Sequence, residues 1–459
     1  MTIFVVVVAV AAGTGFRRGS MLSPFVLVLL TLLSIFGIRP LLMPAQPESF
    51  NFYGYNTTAG FEAAALMGFV GTLSFVMGYA FRRLTLSRRR AAGMIELASP
   101  WEIPPEWAPG RSMRIAWGLF GGWFLMMIVI GGGVGFLAEI FGGRSPEVMA
   151  NLAGVPAVVS ALPVIGCLTI AVVRFRHERY LRYSSVQNFS YWLIAALSVV
   201  PPSAIGTRRF LIPSLLMAVL GALANSWHSR IKPSWVIGGV VGFFALAIVP
   251  FIRSSGSRAP GTDLLGAMRA YFGEQGVGGI LDGFFLSYDT EMFNYVSYLS
   301  QSMGTRIEFG FGRGTVGEVL ALPIPAALSP FERWNDVLLL QMFGTVCDYQ
   351  QACPVPSIIG VLYSDFAWAG VIGGMVLLGI WSARFEGSLI TATGTRLGAL
   401  LLAAGWTILF TRGNSMAQVW LAFQVFVVWW VLDRFLLRPT RGASATHEPA
   451  PPNRTQSRV

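Results

Sequence analysis

The stretch MLSPFVLVLLTLLSIFGIR, Met21 to Arg39, carries no charge until its last residue. Nineteen residues of α-helix span about 28 Å, close to the thickness of a bilayer's hydrocarbon layer. The run lacks both the alternation of a half-buried strand and the polar stripe of a surface helix. It is therefore predicted to cross a membrane. Working outward, ten further apolar runs bounded by charge or turn residues lie at about 2–15, 59–81, 114–140, 155–173, 188–206, 210–227, 234–252, 356–381, 396–411 and 415–436. About eleven transmembrane helices define an all-α polytopic membrane protein.

Composition points the same way. Of 459 residues, 54% are hydrophobic and 12% charged, whereas soluble domains average about 25% charged. Intrinsic disorder and a soluble enzyme are both excluded. The net charge of +11 comes from 33 basic residues, of which Lys232 is the one lysine. A basic balance can signal a nucleic-acid partner. In a membrane protein it reads instead as the excess carried by cytoplasmic loops, and no nucleic-acid partner is expected.

Counting fixes the orientation. The first run has no basic residue ahead of it and is followed by Arg17 and Arg18, which suits an outside N-terminus rather than a signal peptide. Alternating from there, cytoplasmic segments hold 22 basic residues and the short outer loops hold five, namely Arg39, Arg144, Arg208, Arg209 and Arg412. The chain then divides into an N-terminal bundle of about eight spans (1–252), an outer segment (253–355), C-terminal spans (356–437) and a disordered cytoplasmic tail (438–459). The outer segment holds ten of the 22 acidic residues. A structureless loop of that length is uncommon unless functional. Its apolar-aromatic stretches, such as Ile280 to Leu299, are expected to form amphipathic helices lying on the membrane.

The chemistry the sequence offers is cationic and sits outside. No phosphate-binding Gly-rich loop of the ATPase type occurs, and no span carries a chain of ionisable residues as a proton-coupled pump would. The three histidines fall on the predicted cytoplasmic side and form no cluster with cysteine, so neither a metal site nor a cofactor is expected. Gly131-Gly132-Gly133 is expected to serve helix packing or a kink. Cys347 and Cys353 lie outside, where a local disulfide would fit an oxidising compartment. Arg208, Arg209 and Arg412 stand against the topological bias. Arg306, Arg313 and Arg333 are interleaved with Glu308, Glu318, Glu332 and Asp336, and Asp365 opens the span that follows. Guanidinium groups grip phosphate in a bidentate way and stay charged at an interface. This pattern suits a lipid-linked diphosphate whose sugar is transferred to an acceptor hydroxyl. Arginine would stabilise the leaving group and a carboxylate would take the proton. Asp365 is the first candidate for that base because it follows the large loop at the membrane surface. Glu318, Glu332 and Asp336 are the alternatives.

Three motifs carry a resemblance. Gly206-Thr207-Arg208-Arg209 looks like a Gly-x-Arg at a short outer loop. Pro323-Ile324-Pro325, followed by Pro356-Ser357 and Gly360-Val361-Leu362-Tyr363-Ser364-Asp365-Phe366, looks like an Ile-Pro, Pro-Ser, Gly-x-x-Tyr-x-x-Phe-Gly run ahead of a glycine-rich span. Thr411-Arg412-Gly413 looks like the Arg-Gly before a last span. Over about 190–435 the chain resembles the oligosaccharide repeat-unit polymerases of the O-antigen type, within the group that includes O-antigen ligases. Two positions depart from that pattern: Ala326 stands where arginine is frequent, and Ala367 stands where glycine follows the aromatic.

The resemblance implies a metal-independent, inverting glycosyltransferase of the bacterial inner membrane, taking units from a polyprenyl-diphosphate carrier on the outer face. Arg208 and Arg412 would contact the diphosphate or sugar. Arg209, Arg306, Arg313, Arg333 and Tyr363 complete the substrate-binding candidates. Membrane lipid and other glycan-assembly proteins are the expected partners. Two other classes fit less of the sequence: a transporter or flippase of lipid-linked oligosaccharide, which needs a polar path through the membrane, and a non-catalytic scaffold.

Overall fold

A computed structural model describes residues 23–91, 109–130, 157–177, 184–205, 208–223, 276, 279, 282, 284–287, 290–324, 332–344, 354–392, 394–413 and 415–437. The expected spans 2–15 and 234–252, the triple glycine at 131–133, both outer cysteines and the tail lie outside the described residues.

The described chain is mostly helical. Among the described residues six helices are long and apolar enough to cross a membrane: Pro24–Ala45, Thr58–Leu86, Pro109–Ile130, Ser357–Glu386, Gly394–Arg412 and Met416–Leu437. Two shorter apolar helices, Leu162–Phe175 and Ile212–Gly221, fall where further spans are expected. In chain order, α1 is Pro24–Ala45, α2 Phe61–Ala91, α3 Pro109–Ile130, α4 Leu162–His177, α5 Ser185–Ile205 and α6 Arg208–Leu223. The segment expected outside contributes α7 (Met292–Ser302), α8 (Glu318–Ala321) and α9 (Trp334–Phe343). Then come α10 (Ser357–Thr391), α11 (Gly394–Arg412) and α12 (Ser415–Leu432). A two-stranded hairpin pairs Asn51–Phe52 with Tyr55–Asn56.

Local chemistry sets the element ends. Ser23 caps α1 by accepting from the Val26 amide at 3.3 Å, and Pro24 follows it, where proline's missing N–H is no loss. The packing directions follow from the contacts. Phe25 stacks on Phe75 and Tyr79, while Phe36 abuts Gly68, so α1 and α2 are antiparallel. Gly71 meets Val371, and Gly78 meets Val376, so α2 and the later part of α10 run parallel. At the far end of that pair the Arg83 guanidinium lies 2.9 Å from Glu386, whose carboxylate also accepts from Tyr79 Oη at 2.7 Å. Helices α11 and α12 form an antiparallel hairpin in which the Trp429 ring fills the space over Gly398.

One expectation for the outer segment is corrected. Helix α7 does not lie on a membrane surface. Its Met292, Phe293, Tyr295, Val296, Tyr298 and Leu299 are all buried. Phe293 packs edge-on against Phe36 and Phe61, and Tyr295 stacks on Phe52. The polar face of α7 is covered too, with Asn294 and Ser297 buried and Asn294 bonded to Arg39 and to the Ser49 carbonyl, so the helix becomes core between α1, α2 and the hairpin. Arg39, expected in a short outer loop, is buried and holds this arrangement together. It donates to Asn294 Oδ1 (3.1 Å), Thr290 Oγ1 (3.0 Å) and the Ser287 and Phe285 carbonyls.

Candidate functional site

The residues around Asp365 are organised by a break in α10. Phe366 (φ −134°, ψ 21°) and Ala367 (φ 53°, ψ −143°) leave helical geometry, and the chain turns sharply. Leu362 then packs against Gly370 and Gly374, which a straight helix would place about 12 and 18 Å further along. Glycine is required there, because a Cβ on Gly370 would overlap the Leu362 carbonyl oxygen.

A broken helix leaves its last carbonyls without donors. Here a loop from the segment expected outside, Gly310-Phe311-Gly312-Arg313-Gly314, supplies them. The Gly310 amide donates to the Ser364 carbonyl at 2.9 Å and the Phe311 amide to the Asp365 carbonyl at 3.0 Å. The Gly314 amide donates to Asp365 Oδ1 at 2.8 Å. Side chains at positions 310 and 314 would run into the Asp365 carboxylate and the Trp334 ring, so this close approach needs glycine at both. Trp334 closes the assembly. Its Nε1 donates to Ser364 Oγ at 3.2 Å, and its amide donates to Glu318 Oε2 at 2.9 Å.

Asp365, Glu318, Arg313 and Tyr363 are thus brought into one region. Their roles differ. Asp365 is fully buried and Glu318 nearly so. Glu318 satisfies the first amide of α9, as a helix-capping carboxylate does. Only a cavity of about 10 Å³ remains between Glu318, Trp334, Asn335 and Ser364, about one water in size. Tyr363 is buried, edge-on to Phe309 and Trp368. Arg306, Arg313 and Glu332 are exposed. Asp336 lies in the first turn of α9, half-buried. Its carboxyl is pushed up from the ordinary range by desolvation, which outweighs the pull of Arg333.

Arg412 is the last residue of α11 and half-buried. Arg208 and Arg209 open α6, and their side chains lie outside the described residues. Between α10, α11 and α12 runs a cleft of about 500 Å³. Its walls include Leu362, Leu378, Trp381, Trp406, Phe410, Met416 and Val419, and its polar side chains are Thr407 and Gln418. Gln418 is engaged by Trp406 Nε1 at 3.2 Å. Phe410 is two residues from Arg412, and Leu362 is three from Asp365. Among the described residues no group of three or more His, Cys, Asp or Glu comes together.

Of the loop Gly310 to Gly314, Arg313 is among the expected site residues; Gly310, Phe311, Gly312, Gly314 and Trp334 are not. The signal was the alternation Gly-Phe-Gly-Arg-Gly, since glycine at every second position marks backbone that approaches something closely. Fold and site define a helical membrane protein with an apolar interhelical cleft. No family model, curated protein or solved structure matches the chain.

Proposed function

We propose that the protein is a membrane glycosyltransferase that polymerises or transfers polyprenyl-diphosphate-linked oligosaccharide units on the outer face of the bacterial inner membrane, without a metal. The observation that carries the reading is the apolar cleft between α10, α11 and α12, with Arg412 adjoining one wall and the Asp365 elbow adjoining another. A prenyl tail moving from bilayer to cleft leaves one apolar medium for another. The cleft therefore contributes orientation more than transfer energy. Arg412 is the cation for the diphosphate, and the start of α6 at Arg208 and Arg209 is the second source of positive charge.

In the reaction an acceptor hydroxyl oxygen attacks the anomeric carbon from the face opposite the diphosphate. The bond from that carbon to the diphosphate oxygen breaks, and the hydroxyl proton goes to a carboxylate. Asp336 suits that step better than Asp365. A general base works best when it is reachable and its pKa lies nearer the working pH. Asp336 is partly open and its carboxyl is shifted upward, whereas Asp365 is enclosed and holds the Gly314 amide. Asp365 and Glu318 then act as positioning residues for the loop and for α9.

Photo-crosslinking tests the cleft. A polyprenyl diphosphate with a diazirine in its first isoprene units should label Leu362, Phe410, Met416 or Val419. Label confined to other helices would remove the cleft from the account.

A further inference from the structure

We propose that the segment Phe311–Leu320 is seated in the bilayer itself, as an interfacial wedge whose partner is lipid of the leaflet that borders the elbow. The expected surface helix around residues 280–299 is core, yet apolar side chains of this neighbouring segment are exposed. Phe311 is 78% exposed, and Val316, Leu320 and Phe366 are also exposed.

These side chains make a ridge along the chain: Phe311, Val316 and Leu320 lie five and four residues apart, the first step spanning the wide turn Arg313–Gly317 and the second entering α8. The Phe366 ring lies against Gly312, with its tip 3.5 Å from where a Cβ would be. Both ends of the ridge continue into membrane helices. Phe366 belongs to α10, whose Ile372 and Leu377 are exposed. Helix α8 packs on α12, whose Val419, Phe423, Val427 and Val431 form an exposed apolar stripe at four-residue spacing. A surface that joins two apolar stripes of spanning helices matches lipid better than water or a polar partner.

The backbone supports deliberate placement. Phe311 has φ 47°, a left-handed conformation that a bulky aromatic residue adopts only when its surroundings hold it there. Its amide and those of Gly310 and Gly314 are all fixed to the elbow, so the loop cannot relax and withdraw the ring. Arg313 is exposed between Phe311 and Val316. Its long stem can lie along the apolar ridge while the guanidinium meets lipid phosphate. This seating does not depend on the transfer reaction.

A fluorescent amino acid placed by codon suppression at 316, at 320 or at 308 tests it in the otherwise native chain, reconstituted in nanodiscs. Positions 316 and 320 should emit to the blue of 308. A shallow nitroxide lipid should quench most of their emission, and aqueous iodide should quench them several-fold less than the probe at exposed position 308. Iodide quenching equal at all three positions would overturn the proposal. So would protection from both quenchers at 316 and 320, which would point to a second copy of the chain or another protein. Because each probe replaces one exposed side chain, folding is not at stake, and a monodisperse elution profile checks this.

Discussion

At the scale of single residues, two carboxyls outside the spanning helices have shifted protonation, for different ends. Asp336 is shifted upward by desolvation and stays partly open. Replacing Asp336 with Asn is expected to lower glycan elongation by about 10²- to 10⁴-fold with insertion and abundance unchanged. Wild-type turnover should fall with acidification as this carboxylate takes up its proton. Turnover in the variant and in the wild type, measured from pH 5 to 8 in nanodiscs, checks both. Glu291 precedes α7, 9% exposed. Burial pushes its carboxyl from 4.5 up to about 7, against the opposing pull of Arg39. A folded-state value above the unfolded one means that the folded form binds the proton more tightly. Stability of this segment is therefore greatest below about pH 4.5. It declines as pH rises to about 7 and is level beyond that, a change of order 3 kcal/mol. After correction for the base-catalysed rise of intrinsic amide exchange with pH, protection over 290–302 should be greater at pH 5 than at pH 8, and Glu291→Gln should remove that difference. Sequence reasoning reached these residue types but not their separate roles. Burial of Arg39 and Glu291 depends on a segment more than 240 positions from Arg39 folding back onto α1, and burial of Asp365 on a loop 51 positions before it, which no local pattern records.

At the scale of elements, the decisive feature is the elbow in α10. The sequence shows one apolar run from about 356 to 381, and hydropathy is blind to a break inside such a run. The resemblance held a hint, because Ala367 stands where the pattern has glycine. Its φ of 53° with ψ −143° is a region that glycine enters freely and alanine does not. Substituting Ala367 by Gly should relieve that strain, partly offset by the greater freedom of glycine in the unfolded chain. The expected gain is about 1 kcal/mol, read as a higher midpoint of thermal unfolding in detergent with elongation retained. A fall in the midpoint would mean that the elbow is not held in this conformation. The Gly310 to Gly314 loop was similarly readable as a close approach, but not what it would approach. Its partners are carbonyls freed by a break fifty residues later.

At the scale of the whole molecule, apolar run length carried most of the fold. The helices at Pro24–Ala45, Thr58–Leu86, Gly394–Arg412 and Met416–Leu437 fall where apolar runs are expected, because about 20 uncharged residues admit few structures in a bilayer. The parallel course of α2 and the later part of α10 is compatible with the predicted order of crossings, which sends both from outside to inside. The Arg83, Tyr79 and Glu386 cluster then falls at the cytoplasmic end, and the elbow at the outer end. The outer segment was harder to read, because its aromatic residues suit a membrane surface and a protein core equally well, and in α7 the core took them. The central claim is transfer of sugar from a lipid diphosphate, and turnover by the purified protein tests it most directly. Nanodiscs holding the wild type and a polyprenyl-diphosphate oligosaccharide should release polyprenyl diphosphate in step with a lengthened glycan, in the presence of a chelator. Arg412→Ala should lose most of that release. Movement of the intact lipid-linked oligosaccharide across a vesicle membrane, with no diphosphate released, would contradict the account and favour a flippase.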